Sequence, residues 1–341
     1  MQKVLVTGAT GFIGRHLVPQ LEVQGFSPRL LVRDPKKVKR LFPHIRDVVC
    51  GDLQDRFATA QAMRGVDTVL HLAALATAYN SDPNCYMRDN AEAVQMMLDE
   101  AAQAGVRRFV HVSTIAALPP QKESQQWGVP RRPTPYAISK IMSEELVREY
   151  AASGHDAVIV RPTRVYGPGP WNDANGTTRL IAMYLQGHFR FRMRDGGVQA
   201  NYVYVKDVVQ GILLAAERGQ SGTGYELGGQ NASLVDFLAA IDEASGIHHR
   251  VVPVPAVTCA VAAQLGAGWG KLGGHPSLTP EWLNNFLEHR PVDTSLSRND
   301  LGYDPLMLRT GLSKTLNWLM NIKGGDPRAY QGNLRRRETW V

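Results

Sequence analysis

The chain has 341 residues, of which 44% are hydrophobic and 20% are charged, and its formal net charge is +7. This composition is ordinary for a soluble globular protein and leaves room for a large core and more than one domain. The positive charge does not favour nucleic-acid binding, because basic and aromatic residues do not interleave and no recognised nucleic-acid motif is present.

Three cysteines, Cys50, Cys85 and Cys259, lie far apart and show neither metal-site nor disulfide spacing. They favour a reducing, cytoplasmic compartment and argue against a bound metal. The apolar stretch Val251–Leu265 is short for a membrane span and is interrupted by prolines. Because the first apolar run is followed directly by glycines, we expect neither a signal peptide nor a transmembrane segment.

A glycine-rich turn follows the first predicted element. Val4–Val6 is predicted to be a buried parallel strand, and Gly8, Gly11 and Gly14 come directly after it, before a helical pattern. The first glycine permits a tight turn, the second lets the backbone approach a pyrophosphate, and the third lets the helix pack closely on the strand. The pyrophosphate would lie against the free N–H groups of the helix N-terminus. The spacing departs from G-x-G-x-x-G, so a plain glycine turn is the alternative interpretation.

Strand-like runs alternate with helical patterns over the first half of the chain. Further strands are predicted at Leu30–Val32, Val48–Val49, Thr68–Leu70, Phe109–Val112 and Val158–Val160, with helices that include Met87–Gln103 and Ala137–Ala152. This alternation predicts an α/β fold, in which helices cover both faces of a doubly wound parallel sheet. Ligands then bind beyond the carboxyl ends of the strands.

The second half of the chain is less regular. Pro162–Trp171 is predicted to be a loop from its proline and glycine content. Tyr202–Val205 predicts a strand that is followed by a helix, and Tyr225–Gly229 predicts a further strand that returns to the sheet.

Tyr136 and Lys140 form the second informative pattern, because residues four positions apart on a helix share one face. A tyrosine has a reference pKa of about 10, whereas a general acid or base should titrate near the working pH. A neighbouring ammonium in a partly dry cleft, added to a positively charged nicotinamide, favours the phenolate and can lower that pKa. The pair therefore predicts a general acid/base, although two residues on a helix surface would give the same spacing by chance.

The Thr7-Gly8-x-x-Gly11-x-x-Gly14 turn and the Tyr136-x-x-x-Lys140 pair together resemble the extended short-chain dehydrogenase/reductases. Ala215–Leu234 and Leu301–Pro305 are similar to the dihydroflavonol-reductase and 3β-hydroxysteroid-dehydrogenase side of that branch. The resemblance implies a Rossmann-type dinucleotide-binding domain and a smaller C-terminal substrate lobe. The expected boundaries are 1–162 plus about 199–230 for the domain, about 163–198 and 231–322 for the lobe, and 323–341 for a basic tail.

The resemblance also implies which residues line the cofactor. It assigns the adenine edge to Asp52, the ribose and nicotinamide side to the turn Leu72–Ala74, and a bracing role to Asn90. Lys140 would also hold the nicotinamide ribose. The complete expected set is Gly8, Thr10, Gly11, Phe12, Ile13, Gly14, Arg33, Asp52, Leu53, Leu72, Ala73, Ala74, Asn90, Tyr136, Lys140, Pro162 and Val165.

Position 33, directly after the second strand, bears on the choice of cofactor. An NAD enzyme needs a carboxylate there to accept a hydrogen bond from the ribose 2′-hydroxyl. This chain has Arg33, whose guanidinium suits a 2′-phosphate. Arg33-Asp34-Pro35-x-Lys37 is similar to NADP-preferring relatives, so we predict NADP(H) over NAD(H). A one-residue shift that presents Asp34, or a solvated basic loop, is the alternative.

The resemblance further implies that a hydroxyl at the end of the fifth strand polarises the substrate oxygen, and Thr114 rather than Ser113 takes that position. Sugar 4,6-dehydratases have two acidic residues after this threonine, whereas Ile115 and Ala116 follow it here. We therefore predict an NADP-dependent oxidoreductase that reduces a ketone or aldehyde, or oxidises a secondary alcohol, of an apolar small molecule. The expected catalytic residues are Thr114, Tyr136 and Lys140. A nucleotide-sugar epimerase and a non-catalytic dinucleotide-binding sensor are the alternatives.

A homodimer is expected from the same resemblance, because this branch commonly pairs the helices that match Met87–Gln103 and Ala137–Ala152. Met97, Leu98 and Ala101 lie on an apolar face of the first of these helices. The alternative is that this face packs only on the sheet.

Overall fold

Seven parallel strands form the central sheet of the computed structural model, which describes residues 2–76, 82–119, 133–193, 198–271 and 289–321. The strands in chain order are β1 (Lys3–Thr7), β2 (Ser27–Val32), β3 (Val48–Cys50), β4 (Thr68–His71), β5 (Arg108–Val112), β6 (Ala157–Pro162), β7 (Arg164–Tyr166), β8 (Phe191–Met193), β9 (Gln199–Tyr204), β10 (Gly224–Leu227), β11 (Gln230–Ser233) and β12 (Val252–Val254). The sheet order is β3-β2-β1-β4-β5-β6-β10. The order reverses between β1 and β4, and in such a sheet ligands bind in the crevice at this reversal.

Helices cover both faces of this sheet. They are α1 (Gly14–Val23), α2 (Pro35–Leu41), α3 (Arg56–Met63), α4 (Asn84–Tyr86), α5 (Ala93–Gln103), α6 (Pro135–Ala152), α7 (Gly176–Leu185), α8 (Val205–Arg218), α9 (Leu234–Ser245), α10 (Ala256–Lys271), α11 (Ser295–Leu301) and α12 (Leu308–Asn321). On one face α1, α8 and α11 bury Leu17, Ile212 and Leu301, and on the other α3, α5 and α6 bury Met63, Met97 and Val147. The strands are therefore buried on both sides, which is why they are continuous apolar runs.

A second, smaller layer holds its own core. β9 pairs in parallel with β7 and antiparallel with β11, while α9 and α12 pack against each other beside it. Phe237 of α9 stacks on Tyr202 of β9 with ring centroids 4.0 Å apart, and Leu312 and Leu316 of α12 join the same apolar cluster. Aromatic stacking and area burial together stabilise this layer.

The main elements of the predicted fold are confirmed. All six predicted strands of the first half are present, and the strand at Gly224–Leu227 returns to the sheet beside β6, as expected. The segment Pro162–Trp171 was expected to be a loop, but it contains β7, because Arg164–Tyr166 pairs with β9. The basic tail 323–341 lies outside the described residues.

The apolar face proposed for dimerisation is buried within the chain. Met97, Leu98 and Ala101 are each no more than 2% exposed and belong to the core between α5, α6 and the sheet. The prediction that these three residues face a second copy is therefore wrong, because the sheet and α6 already cover them.

None of the helices described here has the length and the apolar composition to cross a membrane. Across the same described ranges, no three His, Cys, Asp or Glu side chains come together as a possible metal site.

A buried carboxylate at the start of α8 gives this fold a testable pH dependence. Asp207 is 5% exposed and accepts a hydrogen bond from the Leu306 N–H, and burial raises the pKa of Asp207 to about 6. The folded state therefore holds this proton more tightly than the unfolded state, so stability falls as pH rises from about 4 to about 6.

We expect Asp207→Asn to stabilise the fold by about 1–2 kcal/mol above pH 7, because the amide avoids the buried charge and can still accept from Leu306. The gain should shrink towards pH 5. Urea unfolding at both pH values measures it, with Asp99→Asn on the exposed side of α5 as the control. A gain of equal size at both pH values would contradict this explanation.

Candidate active site

The glycine turn after β1 leaves an open cradle at the crevice of the sheet. Gly8 has φ +69°, and a Cβ there would lie 2.7 Å from the Ala73 nitrogen of the β4 turn. A Cβ at Gly14 would overlap the Gly8 carbonyl oxygen, so α1 packs directly on the turn. A Cβ at Gly11 would meet only that same oxygen, at 3.1 Å. The backbone at Gly11 is thus open to a ligand at a helix N-terminus, and this shape fits a dinucleotide pyrophosphate.

The remaining residues of this turn have different surroundings. The Phe12 side chain is 3% exposed and packs in the apolar cluster of the smaller layer, near Gly169, so its backbone N–H is the group left for a ligand. Ile13 precedes α1 and is partly buried. The Thr10 carbonyl accepts from Nε of Arg15, at 3.0 Å, which closes the outer edge of the turn.

A basic residue, Arg33, and an acidic residue that caps α2, Asp34, follow the end of β2. The Arg33 side chain is 82% exposed, and its nearest described carboxylate is Asp52, at 4.0 Å. The Asp34 carboxylate accepts from the Lys36 N–H at 3.0 Å and so caps α2. Asp52 also accepts from a nearby N–H, and Leu53 packs on the core beside it. Arg33 and Asp52 therefore share one edge of the crevice.

The β4 turn is braced from two sides. Thr7 Oγ1 accepts from the Ala73 N–H at 3.2 Å, which ties this turn to β1. Asn90 Oδ1 accepts from the Leu75 N–H at 2.7 Å, and its Nδ2 donates to Ser139 on α6 at 2.9 Å. Leu72 and Ala73 are partly buried and Ala74 is exposed, so the turn offers backbone and small side chains to the crevice. Asn90 lies in the π-helical stretch Met87–Glu92 that joins α4 to α5, a distortion that is frequent at functional sites.

Two hydroxyl groups meet at the end of β5. Thr114 follows β5, and its hydroxyl lies beside that of Tyr136 in the first turn of α6, where it acts to lower the pKa of Tyr136. Thr134 caps α6 by accepting from the Ala137 N–H, at 3.1 Å, which fixes where that first turn begins. The Ser113 hydroxyl instead lies beside the Glu144 carboxylate. The structure therefore brings Thr114, and not Ser113, to Tyr136.

Burial is the largest influence on the pKa of Tyr136. Burial raises the pKa of Tyr136 to about 12, and the Thr114 hydroxyl only partly offsets this. Lys140 by itself does not lower this pKa, because its ammonium is turned towards β5 and donates to the Val112 carbonyl at 2.9 Å. At neutral pH Tyr136 is consequently protonated and can donate.

Lys140 itself is deeply buried. It is 1% exposed, and its Nζ lies 3.1 Å from Nε2 of His111. Burial lowers the pKa of Lys140 to about 7, although the nearby Glu144 carboxylate favours the charged form. Arg161 donates to both oxygens of Glu144, at 2.9 and 2.7 Å, and so anchors α6 to β6 below the site.

Two of the expected cofactor residues lie where the sheet meets the smaller layer. Pro162 ends β6 and is buried opposite Leu227 of β10. Val165 of β7 packs against both the sheet cluster and the cluster of the smaller layer. They border the crevice from the side opposite Arg33.

Sequence reasoning missed three side chains at this site. His71 ends β4, its Nδ1 lies 2.9 Å from Thr7 Oγ1, and its ring stacks on that of His111. Arg290 donates to the Ile115 and Leu118 carbonyl oxygens and so ties the turn after Thr114 to the smaller layer. Two histidines near the ends of neighbouring strands were a usable signal, whereas nothing in the sequence marks the long-range contact of Arg290.

The sequence profile of the NAD dependent epimerase/dehydratase family matches residues 4–228, which is more than half of the chain. The chain belongs to this family. Members of the family bind a nicotinamide dinucleotide and include reductases, dehydratases and epimerases. The glycine cradle and the crevice between β1 and β4 fit that cofactor.

Two curated relatives and one solved structure show the range of the family around this chain. The 4-hydroxy-2-methyl-3-oxo-4-farnesyl-3,4-dihydroquinoline-1-oxide ketoreductase of Stigmatella aurantiaca is 32% identical, over 88% of this chain and 91% of that protein. A putative dihydroflavonol 4-reductase of Synechocystis sp. is 30% identical, over 93% and 94%. The UDP-glucose 4-epimerase of Thermus thermophilus, solved in complex with NAD, is 26% identical with a TM-score of 0.72, over 93% and 98%.

Proposed function

We propose that this protein is an NADP-dependent oxidoreductase that reduces a ketone or aldehyde of an apolar small molecule, or oxidises the corresponding alcohol. The hydroxyl pair of Thr114 and Tyr136 is the observation that carries this proposal. Both hydroxyls lie at the end of β5, next to the strands that border the crevice, and Lys140 follows one helical turn later. Bound NADPH would supply the hydride.

Thr114 and Tyr136 would both hydrogen-bond the substrate oxygen and stabilise the negative charge that develops on it. Tyr136 would then give its proton to that oxygen. Because the pKa of Tyr136 is about 12, the tyrosine carries this proton at neutral pH, which favours the direction of reduction. Lys140 and the β4 turn would hold the nicotinamide ribose, and the backbone at Gly11 would hold the pyrophosphate.

The substrate is proposed to be apolar. Ile115, Ala116 and Ala117 form a short helical turn directly after Thr114, in the place where an elimination would need acidic side chains. The name of the Stigmatella aurantiaca relative describes a farnesylated ketone, and a prenylated or polycyclic ketone is the class that we propose here. The substrate lobe expected from the sequence, about residues 163–198 and 231–322, would bind it.

NADP(H) rather than NAD(H) is the proposed cofactor. Arg33 is exposed at the adenosine end of the crevice, and the Asp34 carboxylate is engaged as the cap of α2. The second candidate function is epimerisation of a nucleotide sugar, which the likeness to the Thermus thermophilus epimerase favours. A non-catalytic sensor is the third, and the presence of the Tyr136/Lys140 pair argues against it.

A cofactor-consumption screen tests the proposal. Aromatic, steroid-like and prenylated ketones are incubated with NADPH beside UDP-glucose, and both dinucleotide oxidation and sugar products are recorded. Oxidation of NADPH by an apolar ketone is the expected result. Conversion of UDP-glucose without net NADPH consumption would establish the epimerase instead.

A homodimer through the outer faces of α5 and α6 completes the proposal. Ile138 and Met142 stand one turn apart on α6 and are 42% and 40% exposed, so they are the apolar residues available for a four-helix contact. We expect the double variant Ile138→Asp, Met142→Asp to sediment as a monomer at micromolar concentration. Val235→Asp, an equally exposed valine on α9, should leave the dimer intact, and a wild-type monomer would refute the proposal.

A further inference from the structure

Two buried histidines lie side by side beneath the proposed active site. His71 and His111 are paired residues of β4 and β5, and their rings stack with centroids 5.5 Å apart and planes 18° apart. They are 1% and 0% exposed. Neither has a part in the proton transfer proposed above, so two polar rings in the sheet core need another explanation.

The contact with Lys140 defines the state of the His111 ring. Below its pKa of about 7, Lys140 is an ammonium with three N–H donors and no acceptor, so in that state the contact at 3.1 Å is a hydrogen bond from Nζ to a lone pair on Nε2. His111 is then the neutral tautomer with its proton on Nδ1, an atom without a hydrogen-bond partner in the described structure. The Val112 carbonyl accepts a second Lys140 N–H at 2.9 Å. The third N–H of the ammonium has no acceptor among the residues that the structure describes.

We propose that His111 is a positioning residue for the reaction proposed above, on which this inference rests. Its Nε2 and the Val112 carbonyl hold two donors of Lys140 and aim the third at the ribose side of the crevice. His71 supports the His111 ring by stacking, while Thr7 Oγ1 holds His71 through Nδ1 at 2.9 Å. A lysine side chain has four rotatable bonds, and a single carbonyl would leave its ammonium free to swing.

The charges around the pair are consistent with this role. Burial lowers the pKa of His71 to about 3, and burial together with the Lys140 ammonium lowers that of His111 well below its usual value. Both rings are therefore neutral acceptors at physiological pH. Glu144 on α6 is the carboxylate that favours the charged form of Lys140. Removing the His111 acceptor should consequently lower the pKa of Lys140 further, because a hydrogen bond to the charged form is lost.

Two substitutions at His111 distinguish the effect of the Nε2 acceptor from the effect of the stacked ring. His111→Phe keeps a flat ring against His71 and removes Nε2, whereas His111→Gln replaces the ring and restores a side-chain acceptor. In protein labelled with [13Cε]lysine, Lys140 is assigned by its loss in Lys140→Met and titrated by NMR. We expect its pKa to fall by about one unit in His111→Phe and to return towards the wild-type value in His111→Gln. An unchanged pKa in His111→Phe would overturn the proposal.

A measurement on the wild-type chain covers the case in which His111→Phe does not fold. With [15N]histidine at pH 6, the His111 ring should show its proton on Nδ1 and a bare Nε2. A proton on Nε2 would overturn the proposal without any variant.

NADPH binding and turnover then connect the contact to the reaction. We expect His111→Phe to weaken NADPH in a fluorescence titration and to lower kcat by roughly tenfold, with a smaller change in KM for the ketone and with partial rescue in His111→Gln. If no ketone is reduced by the wild-type enzyme, the proposed function fails, while the two NMR measurements still decide whether His111 holds Lys140.

Discussion

Replacing Tyr136 by phenylalanine is expected to reduce ketone turnover by ~10²-fold or more, the range for loss of a general acid. The substitution removes one oxygen and keeps the ring that packs edge-on against Tyr86, with centroids 6.4 Å apart. Gly11 and Arg33, which would hold the dinucleotide, are not touched. The dissociation constant of NADPH should therefore change little, and the loss should fall on kcat.

Tyr150 provides a matched control on the same helix. It is 9% exposed, and its hydroxyl has no hydrogen-bond partner among the described residues. Tyr150→Phe should retain nearly full turnover, since it removes a hydroxyl away from Thr114. Wild-type turnover in Tyr136→Phe would refute the assignment of the general acid. Thr114→Val, which removes the hydroxyl beside Tyr136, should give an intermediate loss because Tyr136 can still donate.

The strands of the central sheet could be predicted because their signals are local. Each strand of the first half is a continuous apolar run, and continuous runs are what a sheet buried on both faces requires. The signal of the glycine turn is also local. Glycine is needed at positions 8 and 14 because a Cβ there would collide with the backbone of the same turn or of the adjacent β4 turn. Arg164–Tyr166 was missed as a strand because its partner, β9, lies more than 30 residues later and its own sequence resembles a loop.

The site was only partly predictable, because its electrostatics depend on where buried side chains turn. The spacing of Tyr136 and Lys140 places them on one helix face, but it does not say that the Lys140 ammonium turns to His111 and Val112. That contact joins α6 to β5 across 28 and 29 residues, so no local pattern encodes it. The burial of Met97 within the chain could not be predicted either, because an apolar helix face can pack on the sheet or on a second copy of the chain.

Replacing Arg33 by aspartate is expected to weaken NADPH binding by ~1.5–3 kcal/mol, the range for a hydrogen bond to a charged group. NADH should lose little, because it has no 2′-phosphate for Arg33 to bind, and the new carboxylate can accept from its 2′-hydroxyl. The geometry favours Arg33 over Asp34 as the residue that determines this choice. The Arg33 side chain is 82% exposed with its nearest described carboxylate 4.0 Å away, while Asp34 is occupied by the Lys36 N–H.

Fluorescence titration of both dinucleotides against three proteins tests this prediction. The wild-type chain should bind NADPH more tightly than NADH, and Arg33→Asp should reverse or remove that preference. Lys39→Asp, in the last turn of α2, changes the net charge equally and should reduce NADPH affinity only slightly, because an exposed charge away from the phosphate is screened by salt. A wild-type protein that prefers NADH would show that the Asp34 carboxylate accepts a hydrogen bond from the ribose 2′-hydroxyl. An equal loss in Lys39→Asp would mean that the basic edge attracts phosphate by its overall charge, without a specific contact from Arg33.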